Sequence, residues 1–291
     1  MKIEIIAKSK LVRPPTDICE FQNKIYISTK GKRVFYSSDM KAFKSILFSA
    51  QVNSLCSDSE IIFASQKDGA VFGLNSKHKT IFKLKTGESP CILNELDPQT
   101  GDLLVCSENK KISLFSSNAI LKNTFYSTEG PLVNFDISTD RVLAICSLNN
   151  QNIEFISPKE KFFIKIIDGF PEIIKFIRND AILVGSSTGM VSCFSTLTKK
   201  RISFLKIEDQ ITAMHVINTH SFLIGYPGHI LLIDFSNFNK MEISDRISID
   251  GIPVAFHGDS NIYCCISRES RIGRWRKFKE GHNSVLNIKL V

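Results

Sequence analysis

A period close to forty residues limits what this chain can fold into more than any other feature. Short apolar runs recur seven times: RVFYS from Arg33, AVFGLN from Ala70, KISLFS from Lys111, NIEFIS from Asn152, MVSCFS from Met190, HILLID from His229 and RIGRWR from Arg271. The large residues near their ends are Tyr36, Leu74, Phe115, Ile156, Phe194, Ile233 and Trp275, spaced by 38, 41, 41, 38, 39 and 42 residues. So steady a spacing marks a repeat architecture. Each unit is one supersecondary element that buries its apolar surface only by stacking on its neighbours.

The units read as strands. Before each run lies a second apolar segment closing on a small residue: KIYIS, EIIFAS, DLLVCS, RVLAICS, AILVGSS, SFLIGY and NIYCCIS. Tight turns join most of these pairs, at Lys30-Gly31, Asp68-Gly69, Asn149-Asn150, Thr188-Gly189 and Pro227-Gly228. Gly and Asn there are expected to supply the positive φ of hairpin turns. Upstream comes a third segment, DICEF, VNSLC, PCILNEL, LVNFDIS, EIIKFI, ITAMHVI or PVAFH. Downstream, in the first six units, comes a fourth: FKSILF, KTIFKLK, ILKNTFY, KFFIKII, RISFLKI and MEISDRIS. β-branched and aromatic residues dominate these short runs, and no helical period is present.

Many of these segments are apolar on both faces, which a lone four-stranded sheet would leave open to water. Stacking the sheets in a ring buries both faces and leaves only short edges. The expected fold is all-β, a seven-bladed β-propeller with four-stranded antiparallel blades. Residues 1–291 are expected to form one such domain, with blades near 16–50, 51–88, 89–129, 130–169, 170–209, 210–250 and 251–291, and an N-terminal strand at 2–8. The seventh unit supplies three strands up to Trp275. Two segments, 3–7 and 285–291, compete to be its fourth. The N-terminal one is favoured, because it would latch the ring by pairing the chain ends; the other would then pack at the rim or bind a partner.

The units resemble WD40 repeats. VNSLCSDSEIIFASQKDGAVFGLNSKHKTIFKLK follows that family's layout, with Asp68-Gly69 at the family's turn. The signature Trp is retained as Trp275, its Asp as Asp234 after Ile233, and Gly281-His282 resembles the dipeptide that opens family repeats. The resemblance spans almost the whole chain. It implies a rigid ring that holds partners in large assemblies.

The motifs of the chain point away from catalysis. Phosphate-binding glycine loops, a nucleophile elbow and a zinc-protease motif are all missing from the sequence. So is the Phe-Arg-Arg-Gly motif of phosphoinositide-binding propellers. The six histidines fall in different units without metal-ligand spacing, so neither a metal nor a cofactor is expected. His215 and His257, with Glu95, Asp97 and Asp136, lie in or near inner strands and are expected close to the ring axis. The eight cysteines form no C-x-x-C pair and mostly sit in apolar runs, as buried reduced thiols do. The first ten residues lack a signal-peptide core, and no apolar stretch reaches membrane-spanning length. A nuclear, nucleolar or cytoplasmic setting is expected.

The charge carries the remaining information. A formal net charge of +8 favours anionic partners. One basic cluster marks the first-blade hairpin, at Lys30, Lys32 and Arg33. Another runs along the C-terminal stretch as Arg268, Arg271, Arg274, Arg276, Lys277 and Lys279, interleaved with Trp275 and Phe278. Arginine beside aromatic residues suits phosphate contact and base stacking, although a solvated blade edge has the same composition. The first and last blades of a closed ring are neighbours, so the two clusters are expected to form one basic sector, together with Lys8, Lys10 and Arg13. The function expected is a non-catalytic scaffold for protein–protein interactions, monomeric within a larger complex, with ribonucleoprotein or ribosome assembly as the setting. The alternative is an RNA-binding propeller that uses this sector.

Overall fold

The computed structural model describes residues 1–87, 89–127, 130–259, 261–269 and 281–291. Strand β1 (Ile3–Lys10) belongs to the last blade. The first blade is β2 (Pro15–Phe21), β3 (Lys24–Thr29), β4 (Arg33–Ser37) and β5 (Lys44–Leu47). The second is β6 (Val52–Ser57), β7 (Ile62–Gln66), β8 (Ala70–Leu74) and β9 (Thr80–Lys85). The third is β10 (Cys91–Leu96), β11 (Leu103–Ser107), β12 (Lys111–Phe115) and β13 (Leu121–Tyr126). The fourth is β14 (Leu132–Ile137), β15 (Leu143–Ser147), β16 (Asn152–Ile156) and β17 (Lys161–Lys165). The fifth is β18 (Pro171–Arg178), β19 (Ala181–Ser186), β20 (Met190–Ser195) and β21 (Arg201–Lys206). The sixth is β22 (Ala213–Asn218), β23 (Ser221–Tyr226), β24 (His229–Asp234) and β25 (Glu242–Ser248). The seventh combines β26 (Ile252–His257), β27 (Asn261–Ser267) and β28 (Ser284–Leu290) with β1. All seven sheets are four-stranded and antiparallel, so the chain is a seven-bladed propeller.

Burial explains the two kinds of strand pattern. Second strands are covered on both faces; all five residues of β11, LLVCS, are buried. Fourth strands form the rim and alternate toward water, as in β9, TIFKLK. The core is therefore divided into seven apolar clusters, one between each pair of neighbouring blades. Ile27 and Cys265, for example, belong to the cluster between the first and last blades, and Phe155 and Ile182 to the one between the fourth and fifth. The cysteines are all free, and seven of the eight are buried. Burial pushes their thiols upward, which keeps them protonated.

Short polar side chains tie the inner strands of adjacent blades. Asp17 Oδ2 accepts from the Leu55 amide at 2.9 Å, and from the Ser54 hydroxyl at 2.7 Å. Between the fourth and fifth blades, Asn134 accepts from the Ile174 amide and Asp136 from the Phe176 amide. These bonds hold successive blades in register where no sheet pairing connects them.

The last blade differs from the sequence expectation in one respect. β28 pairs with β27 on one side and β1 on the other, so 284–290 supplies the third strand and 3–10 the fourth. The N-terminal latch is present. Among the described residues no terminal strand is left over, because the position expected for RIGRWR is filled by β28. Residues 271–276 themselves lie outside the described residues. Lys2 and Val291 exchange backbone hydrogen bonds beyond the end of the ladder.

The turns also depart in one place. Gly69, Gly189 and Gly228 have φ near +80°, and Asn149 has +56°. Neither Lys30 nor Gly31 has a positive φ. Gly31 is small for another reason: a Cβ there would stand 2.7 Å from Arg13 Nη1. The first-blade hairpin is thus packed beneath an arginine of the β1–β2 connection.

Candidate interaction faces

Strand polarity assigns every turn to one of two faces. The inner strands all run the same way along the axis. Hairpins joining first and second strands open on one face, here the collar face. Hairpins joining second and third strands, and the connections between blades, open on the opposite, hairpin face.

The hairpin face gathers the first-blade cluster. Lys32 and Arg33 are exposed and Lys30 is half-buried. Arg33 Nη1 donates to the Ser45 hydroxyl at 2.8 Å. Lys30 Nζ lies 3.0 Å from Glu269 Oε2 of the last blade. Arg268, also exposed, precedes that glutamate, and its amide donates to Asn283. The turn that leads into the C-terminal basic stretch therefore abuts the first-blade hairpin. Arg271, Arg274, Arg276, Lys277 and Lys279 lie outside the described residues. Lys67, Lys110 and Lys111 continue the same character onto the second and third blades. Lys8 and Lys10 reach this end of β1, where Lys8 pairs with Asp250 at 3.0 Å. The connections before the fifth, sixth and seventh blades carry Asp168, Glu208, Asp209 and Asp250, of which Asp168 pairs with Arg201, Glu208 with Arg246 and Asp250 with Lys8.

A cavity of about 600 Å³ occupies the axis and opens on the collar face. All seven inner strands line it. On one wall, Lys175 of β18 reaches Glu95 Oε1 of β10 at 2.8 Å and Asp136 Oδ1 of β14 at 2.7 Å. Burial alone would depress the Lys175 ammonium, but the two carboxylates outweigh it and raise its pKa. Burial pushes the Glu95 carboxyl up to about 8, with Lys175 opposing and Asp136 adding to the rise. The other wall carries His215 and His257. Burial takes His215 down to about 4, although its Nε2 donates to the Gly258 carbonyl at 2.7 Å. His257 is lowered by the same cause. Both imidazoles are therefore neutral at ordinary pH.

Of the residues expected near the axis, Glu95, Asp136, His215 and His257 line this cavity. Asp97 does not. Its side chain turns into the β10–β11 hairpin, pairing with Arg141 Nε at 2.9 Å and capping the Gln99 amide. Lys175 and Asp17 were not anticipated. A lysine in the middle of the apolar run EIIKFI was the available signal for the first, since such a charge needs partners. Among the described residues, no group of three or more histidine, cysteine, aspartate or glutamate side chains is arranged to hold a metal ion.

Known protein structures share this architecture. A structure of U3-55K superposes with a TM-score of 0.87 at 13% identity, covering 99% of this chain and 98% of that one. The WD40 repeats of RRP9 give 0.88 at 13% identity, with 99% and 97% covered. A chain of the Mitotic Checkpoint Complex gives 0.80 at 10% identity, with 99% and 91% covered. No family profile and no curated protein matches the sequence. The fold is that of WD40 propellers.

Proposed function

We propose that this chain is a non-catalytic scaffold, which holds proteins together in a larger complex through its two faces. The observation that carries the reading is one rigid ring that presents a basic hairpin cluster on one face and an open axial cavity on the other. Ring and core hold both surfaces in fixed relation, so two partners can dock without competing for space. The presence of a propeller of similar fold in the Mitotic Checkpoint Complex supports such a use. A ribonucleoprotein or ribosome-assembly setting, nuclear or nucleolar, is the reading that the net charge of +8 and the basic first-blade cluster support. Affinity purification with mass spectrometry, with and without nuclease, tests the reading. Partners that survive nuclease support protein docking. If every partner is lost with nuclease, scaffolding by direct protein contact is wrong.

A second reading is supported by the Lys30–Glu269 contact, which brings the turn before the C-terminal basic stretch against the first-blade hairpin. In this reading the chain binds RNA directly through Lys30, Lys32, Arg33, Arg268, Arg271, Arg274, Arg276, Lys277 and Lys279. Replacing Arg271, Arg274, Arg276 and Lys277 with alanine should abolish RNA co-sedimentation. Unchanged co-sedimentation would rule the reading out.

A further inference from the structure

We infer that the channel mouth on the collar face binds an arginine side chain presented by a partner polypeptide, with Glu95 as its acceptor. The inference deepens the scaffold reading by naming what one face recognises.

Three observations carry it. First, Glu95 uses only one oxygen. Oε1 accepts from Lys175, whereas Oε2 is buried in the cavity wall with no hydrogen-bond partner among the described residues. Once Glu95 is ionised, that buried acceptor is left unmade at a cost, and a donor entering the cavity removes it. Second, the turns around the mouth are acidic in a protein of net charge +8. Asp58, Glu60, Asp140 and Asp259 stand in the collar hairpins. The nearby guanidinium groups are engaged, Arg141 with Asp97 and Arg178 with Asp180. A cation approaching the axis therefore meets attraction before it meets Glu95. Third, the cavity of about 600 Å³ has room for a long side chain and part of its backbone. Its walls include Leu55, Leu93, Ile173 and Phe256, which suit an aliphatic stem. Neutral His215 and His257 do not repel the cation. Arginine fits better than lysine because its flat fork presents several donors in a fixed geometry that matches a carboxylate.

The site has a proton signature. A carboxyl held near 8 by burial is largely protonated at neutral pH. A guanidinium favours the ionised form, so binding expels a proton and strengthens as pH rises. The charged and titratable groups facing Glu95 are Lys175 from β18, Asp136 from β14 and Cys56 from β6. Lys175 and Cys56 are held upward, so Glu95 is the group that changes charge between about pH 6.5 and about pH 8.5.

The test uses the full chain and a fluorescein-labelled glycine–serine heptapeptide with one central arginine, followed by fluorescence anisotropy. Twins carry citrulline, which has nearly the same shape without the charge, or lysine. The arginine peptide should bind at least about tenfold more tightly than the citrulline twin. Its affinity should rise between about pH 6.5 and about pH 8.5. Glu95→Gln should remove both the preference and the pH dependence, whereas Lys32→Glu with Arg33→Glu, on the other face, should leave them intact. If Glu95→Gln fails to fold, Asp58→Asn with Asp259→Asn should still weaken binding several-fold. Equal binding of the arginine and citrulline peptides overturns the inference. So does equal binding of the lysine twin, which overturns the guanidinium assignment, or a Glu95→Gln protein that keeps the preference. Nuclease-resistant partners recovered alongside such a failure would leave the scaffold reading standing.

Discussion

At the scale of the residue, the axis holds ionisable groups whose environments oppose one another. Burial raises the Glu95 carboxyl and lowers the His215 imidazole. For Glu95, the folded state holds a proton that the unfolded chain has released. Its contribution to stability is full below the ordinary carboxylate range and is lost as pH climbs toward 8. For His215, the unfolded chain takes up a proton that the folded state refuses. Its contribution is present above the ordinary imidazole value and is lost as pH falls toward 4. Urea unfolding from pH 4 to pH 9 should therefore show Glu95→Gln gaining on the wild type as pH rises above about 5, and His215→Gln gaining as pH falls below about 6. Parallel stability curves for the wild type and Glu95→Gln would contradict the burial assigned to that carboxyl. Lys175 faces Glu95 directly and keeps its charge over the range in which it titrates.

At the scale of the element, β1 decides closure. It lies along β28 from Ile3 opposite Leu290 to Lys10 opposite Ser284, with a register shift between Ile5 and Ala7. Ile3 is buried in the cluster between the sixth and seventh blades, and its amide donates to Asp245 of β25. Removing residues 2–10 would strip the last blade of its outer strand and expose an edge as well as that cluster. Thermal unfolding by circular dichroism should show a fall of at least about 10 °C, together with concentration-dependent aggregation. A truncated protein that melts like the full chain would show that the latch is dispensable.

This element also shows how far the sequence could be read. Strands in the first six blades were legible because β-branched runs, small closing residues and turn dipeptides recur with one period. The seventh blade misled because RIGRWR mimics the repeat at the right spacing, while the strand that fills the place, SVLNIKL, lies further on. Local pattern cannot decide between two candidates when the partner strand comes from the other end of the chain. The same limit held at the axis. Glu95 and Asp136 could be placed by their strands, but their joining through Lys175 depends on blade order around the ring. Asp97 sits one residue beyond β10, where the chain turns, and so faces Arg141 instead.

At the scale of the whole molecule, the two faces are chemically independent. The first-blade lysines and Arg33 lie at the far ends of the inner blades from the mouth of the cavity. A single-stranded oligouridylate and the arginine peptide should therefore bind together, each with the affinity it shows alone. The oligonucleotide should weaken steeply with salt, and Lys30→Glu, Lys32→Glu and Arg33→Glu combined should reduce its slope by roughly 0.7 per lost phosphate contact. Isothermal titration of each ligand in the presence of the other reads this directly. Competition between them would mean that the faces are coupled or that both ligands use one site.

The mutual hydrogen bonds of Lys2 and Val291 bring the two ends of the polypeptide side by side at the rim of one blade. Seven sheets joined in a circle have no privileged first member once those ends are bridged. A short linker across them, with a new opening cut at an exposed turn such as Asn237–Lys240, should give a circular permutant whose ring is threaded from a different start. The order of the blades in the chain would then be separable from the shape they make.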